Sequence, residues 1–369
     1  MVHVIILCGG VGSRLWPLST ADKPKQFLNL INDKSLIENS IERMIFDDIK
    51  IKSIVLVTGK KYYEYFKNET YDNCSIILEP EQKNTAASIL LACLSIYSKI
   101  EESKISSTRI LVIPSDHYYD KVVFQNIVKK ALKVFDTNNE SIITFGINPT
   151  YPETGYGYIK YDSDKILEFV EKPDISKATE FVNSSQYLWN SGIFMFNLKT
   201  IFDEYKKHES ELYIKCMECF LKNKYVDNVI HIDRSFEECK NISFDYAIME
   251  RTKKGMIVKY DGIWTDIGDW DRLINFKKDN LLNEDIDENI SKCQIIDQNN
   301  NISIKNSNET KHLFYKSNNC YINSSKGTIV IINIDDLIVV KNEDNILISK
   351  KDYSSNIKHL IDKIAHIPN

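Results

Sequence analysis

The sequence predicts an α/β protein with a doubly wound, mostly parallel sheet, followed by a small β-rich C-terminal domain that ends in a helix. Three observations predict it. Short apolar, β-branched runs at Val2–Cys8, Ser53–Thr58, Cys74–Glu79, Arg109–Pro114 and Ser141–Gly146 alternate with stretches of helical periodicity. That is the order of strands and crossover helices in a sheet covered on both faces. Past about residue 280 the helical pattern gives way to short β-runs and one last amphipathic stripe. The chain has 369 residues, 43% hydrophobic and 27% charged, a globular composition with length for two or three domains, which excludes global disorder.

The elements follow in order. The apolar run before Gly9 is strand-sized with no basic stretch ahead of it, so it is read as a first strand and not as a signal peptide. Ser35 can cap a helix carrying Leu36, Ile37, Ile41, Met44 and Ile45. Thr85–Ile100 is apolar nearly all round and predicts a buried helix. From Tyr151 to Lys278 strand-like segments (Gly157–Tyr161, Ile166–Glu171, Trp189–Asn197) mix with helices and continue the same domain, giving residues 1–280 as one unit. The Asn-rich stretch Asp279–Asn323 allows no long helix and opens the second domain, 281–369. There Cys320–Asn323, Thr328–Ile334, Leu337–Lys341 and Ile346–Ser349 read as strands, and Ile357, Leu360, Ile361 and Ile364 as a helical stripe. No repeat is visible, although stacked short strands could form a solenoid of degenerate period.

Charge narrows the function. With 47 Lys+Arg against 52 Asp+Glu the net charge is −5, which lacks the basic excess of a nucleic-acid-coating surface. The longest apolar runs are strand-sized, so no membrane-spanning helix is expected. Eight singly scattered cysteines favour reduced thiols and a cytoplasmic protein. The one CxxC, Cys216–Cys219, lies in a helix-like segment without a second pair, and a zinc or redox role is the minor reading.

Ligands of doubly wound sheets sit outside the carboxyl ends of the strands. The first such end is Leu7-Cys8-Gly9-Gly10-Val11-Gly12-Ser13-Arg14-Leu15. Glycines let backbone N–H groups approach a phosphate, and Arg14 adds a planar, bidentate charge. Leu15 stands at the third glycine place of a dinucleotide fingerprint, and the P-loop G-K-[ST] ending is missing. Lys25, in Pro24-Lys25-Gln26-Phe27, could reach back to the same anion; a tight turn with a surface lysine is the bland alternative.

The first turn together with Lys25-Gln26-Phe27 resembles the signature of sugar-nucleotide pyrophosphorylases, in the Leu-Trp-Pro variant of bacterial mannose-1-phosphate guanylyltransferases. Further blocks agree in order: Glu79-Pro80, Lys83-Asn84-Thr85-Ala86, Pro114-Ser115-Asp116-His117, Pro152–Ile159, Phe169–Pro173, Trp189-Asn190-Ser191-Gly192, Phe244–Glu250, Trp264–Trp270 and Asp335–Val340. The resemblance covers nearly the whole chain. It implies a Rossmann-like nucleotide-diphospho-sugar transferase fold and formation of GDP-mannose and pyrophosphate from GTP and mannose 1-phosphate. It implies Mg²⁺ held by Asp116 and Asp266, with Arg14 and Lys25 also catalytic. Nucleotide contacts are implied at Leu7, Gly9, Gly10, Gly12, Ser13, Glu79, Asn84, Thr85 and Ser115, and sugar-phosphate contacts at Gly155, Tyr156, Gly157, Glu171, Lys172, Asn190 and Gly192.

Residue by residue, alternatives stay open. A lone strand-end aspartate is more often a helix cap than a ligand, Asn84 and Thr85 could simply cap, and Asp245 is read as the cap of a helix Phe244–Arg251 before it is read as a sugar contact. Lys83, Ala87 and Phe244 depart from the family's usual Arg, Pro and Ile, which loosens guanine selectivity. Another sugar 1-phosphate or nucleotide, or a non-catalytic sugar-nucleotide-binding homologue, remains as the alternative. A homodimer, a product used in polysaccharide assembly and no cupin-type isomerase domain after Asn369 complete the expectations. All reacting groups precede Lys278, so the tail is expected to serve stability or assembly.

Overall fold

The protein is described here from a computed structural model over residues 2–10, 12–67, 73–281 and 294–364. Val11 of the glycine-rich turn, residues 282–293 at the expected domain boundary and the side chain of Ile364 lie outside the described residues.

The strands are β1 (Val2–Leu7), β2 (Ile51–Gly59), β3 (Cys74–Glu79), β4 (Arg109–Pro114), β5 (Tyr118–Tyr119), β6 (Ile142–Ile147), β7 (Gly157–Asp162), β8 (Lys165–Glu171), β9 (Tyr187–Asn197), β10 (Lys224–Val226), β11 (Val229–His231), β12 (Gly255–Tyr260), β13 (Trp264–Thr265), β14 (Gln294–Ile296), β15 (Ile302–Lys305), β16 (Thr310–Tyr315), β17 (Tyr321–Ser324), β18 (Gly327–Ile332), β19 (Leu337–Asn342) and β20 (Asn345–Lys350). The α-helices are α1 (Leu36–Glu42), α2 (Asn84–Tyr97), α3 (Lys121–Thr137), α4 (Ile175–Ser184), α5 (Leu198–His208), α6 (Ser210–Leu221), α7 (Trp270–Leu281) and α8 (Ile357–Ile364). The chain forms two compact units: residues 1–9, 40–115 and 119–264 make the first, and residues 10–39, 116–118 and 265–369 the second.

The first unit holds one sheet in the order β10-β11-β3-β2-β1-β4-β9-β6-β12-β8-β7. From β11 to β4 neighbouring strands run parallel, and β9 enters antiparallel between β4 and β6. The expected parallel sheet is thus present, with an antiparallel flank where the sequence pattern turns mixed. Val4, Ile5 and Ile6 are all fully buried; successive strand residues point to opposite faces, so both faces of β1 are covered. On one face Ile5, Val55, Val57, Ile110 and Val112 pack with α2, α5 and α6. The sequence read α2 as buried all round, and it is: Ala86 through Ile96 are inside.

Register fixes the site end of this sheet. Leu7 lies opposite Pro114 in the β1–β4 pairing, and Ser115 N–H donates to Leu7 C=O at 3.1 Å. The chain leaves the first unit at Gly9 and again at Ser115, just beyond these paired strand ends.

The second unit is built round Leu15, Leu28, Leu30 and Leu36 from the N-terminal segment, Ile267, Trp270, Leu273 and Ile274 at the start of α7, and Ile302, Ile304, Tyr321, Ile338, Val340 and Ile357 from the tail. The tail stacks rungs: β15, β17 and β19 pair in parallel, as do β16 and β18. The degenerate solenoid is real. β14, β15 and β16 fall in the Asn-rich stretch, where the sequence predicts no strand before Cys320; their apolar residues are too few per strand to give a period, and stacking on the next rung supplies what local pattern does not. Ser35 caps α1 as expected: its Oγ accepts from Glu38 N–H at 3.3 Å while Glu38 Oε2 accepts from Ser35 N–H at 2.7 Å, a reciprocal capping box. The helix stops at Glu42, which leaves Ile45 of the expected apolar stripe exposed.

Candidate active site

In the second unit the glycine-rich turn closes on Lys25. Gly12 has φ +59°, and a Cβ there would stand 2.9 Å from Lys25 Cγ, so both conformation and space require glycine. The next residues, Ser13–Leu15, form a single 3₁₀ turn that leaves the Arg14 side chain exposed while Leu15 is buried. Lys25 is largely buried; its Nζ lies 3.0 Å from Asp116 Oδ2 and donates to the Asp266 backbone carbonyl at 2.7 Å. Lys25, Asp116 and Asp266, far apart in sequence, therefore meet through one ammonium.

The Asp266 turn is held in a conformation its neighbours would not choose. Ile267, a β-branched residue, has φ +46° and is fully buried. That is a true backbone outlier, stable only because its surroundings fix it. Gly268 N–H donates to Asp266 Oδ1 at 3.0 Å, and Arg272 Nη1 lies 2.9 and 2.7 Å from the two carboxylate oxygens. Trp270 anchors the turn by donating from Nε1 to Trp16 C=O at 2.9 Å. Both carboxylates thus meet cations within the protein.

In the first unit the sugar-phosphate set comes together. Gly157 on β7 faces Glu171 on β8 in the strand register. A Cβ on Gly157 would lie 2.5 Å from Glu171 Oε2, so only glycine admits the carboxylate. Lys172 has φ +48°, which turns its Nζ back to Glu171 Oε1 at 2.5 Å. Burial would lower the Lys172 ammonium, but the Glu171 carboxylate outweighs it and the net shift is upward. Glu171 Oε2 is buried with no partner among the described residues, an acceptor that a ligand hydroxyl would satisfy. Asn190 sits where the β6–β9 register slips; its Oδ1 accepts from Thr144 Oγ1 at 2.9 Å and from Gly192 N–H at 3.3 Å. Tyr156 joins Trp189 and Trp264 in an edge-to-face ring cluster at 5.3 and 5.2 Å. Gly155 N–H donates to Glu153 Oε1 at 2.7 Å.

The residues that the resemblance assigns to the base bond one another within the first unit. Glu79 is 5% exposed, its Oε1 lies 2.5 Å from Ser88 Oγ, and burial pushes its carboxyl up to about 8. Ser88 Oγ also donates to Asn84 C=O at 3.0 Å. A hydroxyl has one proton to give, so the consistent chain runs from the Glu79 carboxylic acid to Ser88 to Asn84. Asn84 has φ +64° at the start of α2, and Thr85 Oγ1 accepts from Phe244 N–H at 2.8 Å. Ser115 Oγ is fully buried and without a partner among the described residues.

Asp245 corrects the sequence reading. A helical segment does form where Phe244–Arg251 was expected, but it is the single π-helical turn Asp245–Met249, closed by Glu250 N–H to Asp245 C=O at 3.0 Å, and the Asp245 side chain caps nothing. It accepts instead from Asn190 Nδ2 at 2.8 Å, and burial with the Glu171 carboxylate nearby raises it to about 7. The signal was its adjacency to Phe244, whose ring packs on Phe194 of the Asn190 strand at 4.7 Å. Trp189, Trp264 and Ser88 were likewise missed as site neighbours; only the resemblance blocks pointed near the first two. The CxxC cysteines lie on α6, with Cys216 Sγ 3.9 Å from Cys239 Sγ, and no metal-holding group of three or more His, Cys, Asp or Glu occurs among the described residues.

A parallel-centred α/β sheet with a glycine-rich first turn, a lysine bridging two acidic turns and a carboxylate with one buried, unpartnered oxygen is an arrangement suited to phosphorylated nucleotides. The chain belongs to the nucleotidyl transferase family, whose model matches residues 3–283; a second model, the mannose-phosphate isomerase/GMP-like β-helix domain, matches residues 311–364. Among curated relatives, mannose-1-phosphate guanylyltransferase of Escherichia coli is 31% identical over 97% of this chain and 74% of its own length. The alginate biosynthesis protein AlgA of Pseudomonas aeruginosa is 30% identical over 97% of this chain and 71% of its own. A crystal structure from Thermus thermophilus, described as mannose-1-phosphate geranyltransferase, shares the fold, with a TM-score of 0.79, 23% identity and 99% of both chains covered. Members of the family generally use a divalent metal. Two carboxylates suit a hard cation completed by substrate phosphates and water. No helix among the described residues is long and apolar enough to cross a membrane.

Proposed function

We propose that this nucleotidyl transferase is a mannose-1-phosphate guanylyltransferase. A phosphate oxygen of mannose 1-phosphate attacks the α-phosphorus of GTP, the bond to the β-phosphate breaks, and GDP-mannose and pyrophosphate form. The observation that carries the reading is the meeting of Lys25, Asp116 and the Asp266 turn beside an exposed Arg14. The attacking oxygen is already an anion, so no general base is needed and the work is alignment and charge neutralisation.

Lys25 and Arg14 neutralise the phosphates, and the amides of Gly9, Gly10, Gly12 and Ser13 cradle them, with Leu7 and Ser115 at the adjoining strand ends. Asp116 and Asp266 would hold Mg²⁺, which would supply further neutralisation of the phosphates. Glu171, freed by its unpartnered Oε2, and Asn190, oriented by Asp245 and Thr144, bond the sugar hydroxyls. Lys172 faces the sugar phosphate, Gly155 to Gly157 line it, and Gly192 fixes the Asn190 bulge. The loop from Glu79 to Thr85 reads the base. Residues 1–280 carry the reaction and 281–369 complete the fold. The buried free thiols suit a cytoplasmic enzyme, and a homodimer is the assembly expected in solution.

Pyrophosphate release from GTP with a panel of sugar 1-phosphates tests this reading. Mannose 1-phosphate should be preferred, and Arg14→Ala or Lys25→Ala should lose on the order of 10²–10³ in kcat, by analogy with removal of an oxyanion donor. ATP or dTTP outperforming GTP in kcat/KM, or near-normal kinetics of both variants, refutes it.

A further inference from the structure

The second unit contains a cavity of about 310 Å³, lined among others by Asp271, Asn275, Lys278, Asn319, Asp336 and Lys351. Its floor is a column of solenoid corners. Asn319, Asp336 and Asp352 are all left-handed, at φ +54°, +57° and +67°. Asp336 N–H donates to Asn318 C=O at 3.1 Å and Lys351 N–H to Asp336 C=O at 2.8 Å. This stacking fixes the Asn319 side chain, whose Nδ2 donates to Asp336 Oδ1 at 2.6 Å.

The amide orientation leaves Asn319 Oδ1 facing two ammoniums. Lys278, from the last turn of α7, donates to it at 2.5 Å, and Lys351, 8% exposed, at 2.7 Å. One neutral oxygen thus serves two cations. The carboxylates lining the cavity are turned to other uses: Asp336 takes the Asn319 amide, and Asp271 takes Ser354 Oγ at 2.5 Å and Asp352 N–H at 3.1 Å. Among the described residues neither Lys278 nor Lys351 has an ion-pair partner. Lys350 and Asp352 are exposed at the rim.

We propose that this cavity is a second anion site of the protein, taking a small phosphate or phosphate monoester between the Lys278 and Lys351 ammoniums. Two converging ammoniums with a shared neutral acceptor hold free N–H donors for the oxygens of a tetrahedral dianion, while Asp271, Asp336 and Asp352 in the same lining offset part of the lysine charge without an ion pair to either ammonium. The mutual repulsion shows in Lys351, which burial and the neighbouring Lys278 lower to about 8. The cavity has room for more than orthophosphate, so free phosphate and a nucleoside monophosphate share the chemistry. Lys278 closes the helix that begins at Trp270, so occupancy would bear on the element that follows the Asp266 turn.

The test uses the full chain. Inorganic phosphate and GMP are titrated at constant ionic strength against wild type, Lys278→Met and Lys351→Met, with the thermal midpoint and calorimetric binding as readouts. The variants should lose one binding component, with affinity falling about ten-fold or more for loss of a charge-assisted contact; components identical to wild type overturn the proposal. Should a variant fail to fold, acetylation of wild type mapped by mass spectrometry decides: phosphate should protect Lys278 and Lys351 several-fold, and chloride at matched ionic strength should not. Equal labelling with and without phosphate overturns it, and stronger protection by GMP than by phosphate assigns the nucleotide source.

Discussion

Glu79→Gln gives the sharpest quantitative test of the buried Glu79–Ser88 pair. The glutamate is buried against Ser88, with its carboxyl at about 8 in place of the ordinary 4.5. A carboxyl raised in the folded state contributes stability that is complete below about pH 4.5 and is lost as pH rises through about 8, because only the unfolded chain gains by ionising it. From these values the unfolded state is favoured by about 3 kcal/mol at pH 7, relative to a side chain that cannot ionise. Glutamine keeps the shape and can donate to Ser88 Oγ as the acid does. The variant should therefore be more stable than wild type at neutral pH, and its advantage should grow by about 3 kcal/mol between about pH 5.5 and pH 8. Urea unfolding at matched salt over that range measures it. Parallel profiles for the two proteins would mean that Glu79 is ionised in the fold and that the Glu79–Ser88–Asn84 chain runs the other way.

Asp116→Asn and Asp266→Asn should each lose most turnover while keeping the far-ultraviolet signature of the fold; normal rates at low Mg²⁺ would remove that residue from the metal site. Gly157→Ala drives a methyl to within 2.5 Å of Glu171 Oε2, so KM for the sugar phosphate should rise about ten-fold or more, and an unchanged KM would exclude Glu171 as its anchor. Cutting the chain after Lys278 removes Ile302, Tyr321, Ile338 and Ile357 from the core that holds Leu15 and Leu28. Turnover should fall together with solubility, and a soluble, active truncation would show that the tail is dispensable to the glycine-rich turn.

The sequence by itself determined the alternation of strands and helices, the buried character of α2, the Ser35 cap and the glycine-rich turn. These rest on local periodicity and on residue types with one steric solution, such as Gly12 beside Lys25. It also carried the motif blocks through which the family is recognised. Local pattern fell short in the tail, where β14 to β16 show no period of their own, and at Asp245, whose bond to Asn190 depends on a strand more than fifty residues away. Only the tertiary structure decided that Lys25 bridges Asp116 to the Asp266 turn, that Ile267 is held at positive φ, that burial raises the Glu79 carboxyl and that Leu15 shares a core with Tyr321. Each is a contact or a desolvation between segments distant along the chain, fixed by which strand ends the register sets side by side and by what the packed core excludes from water.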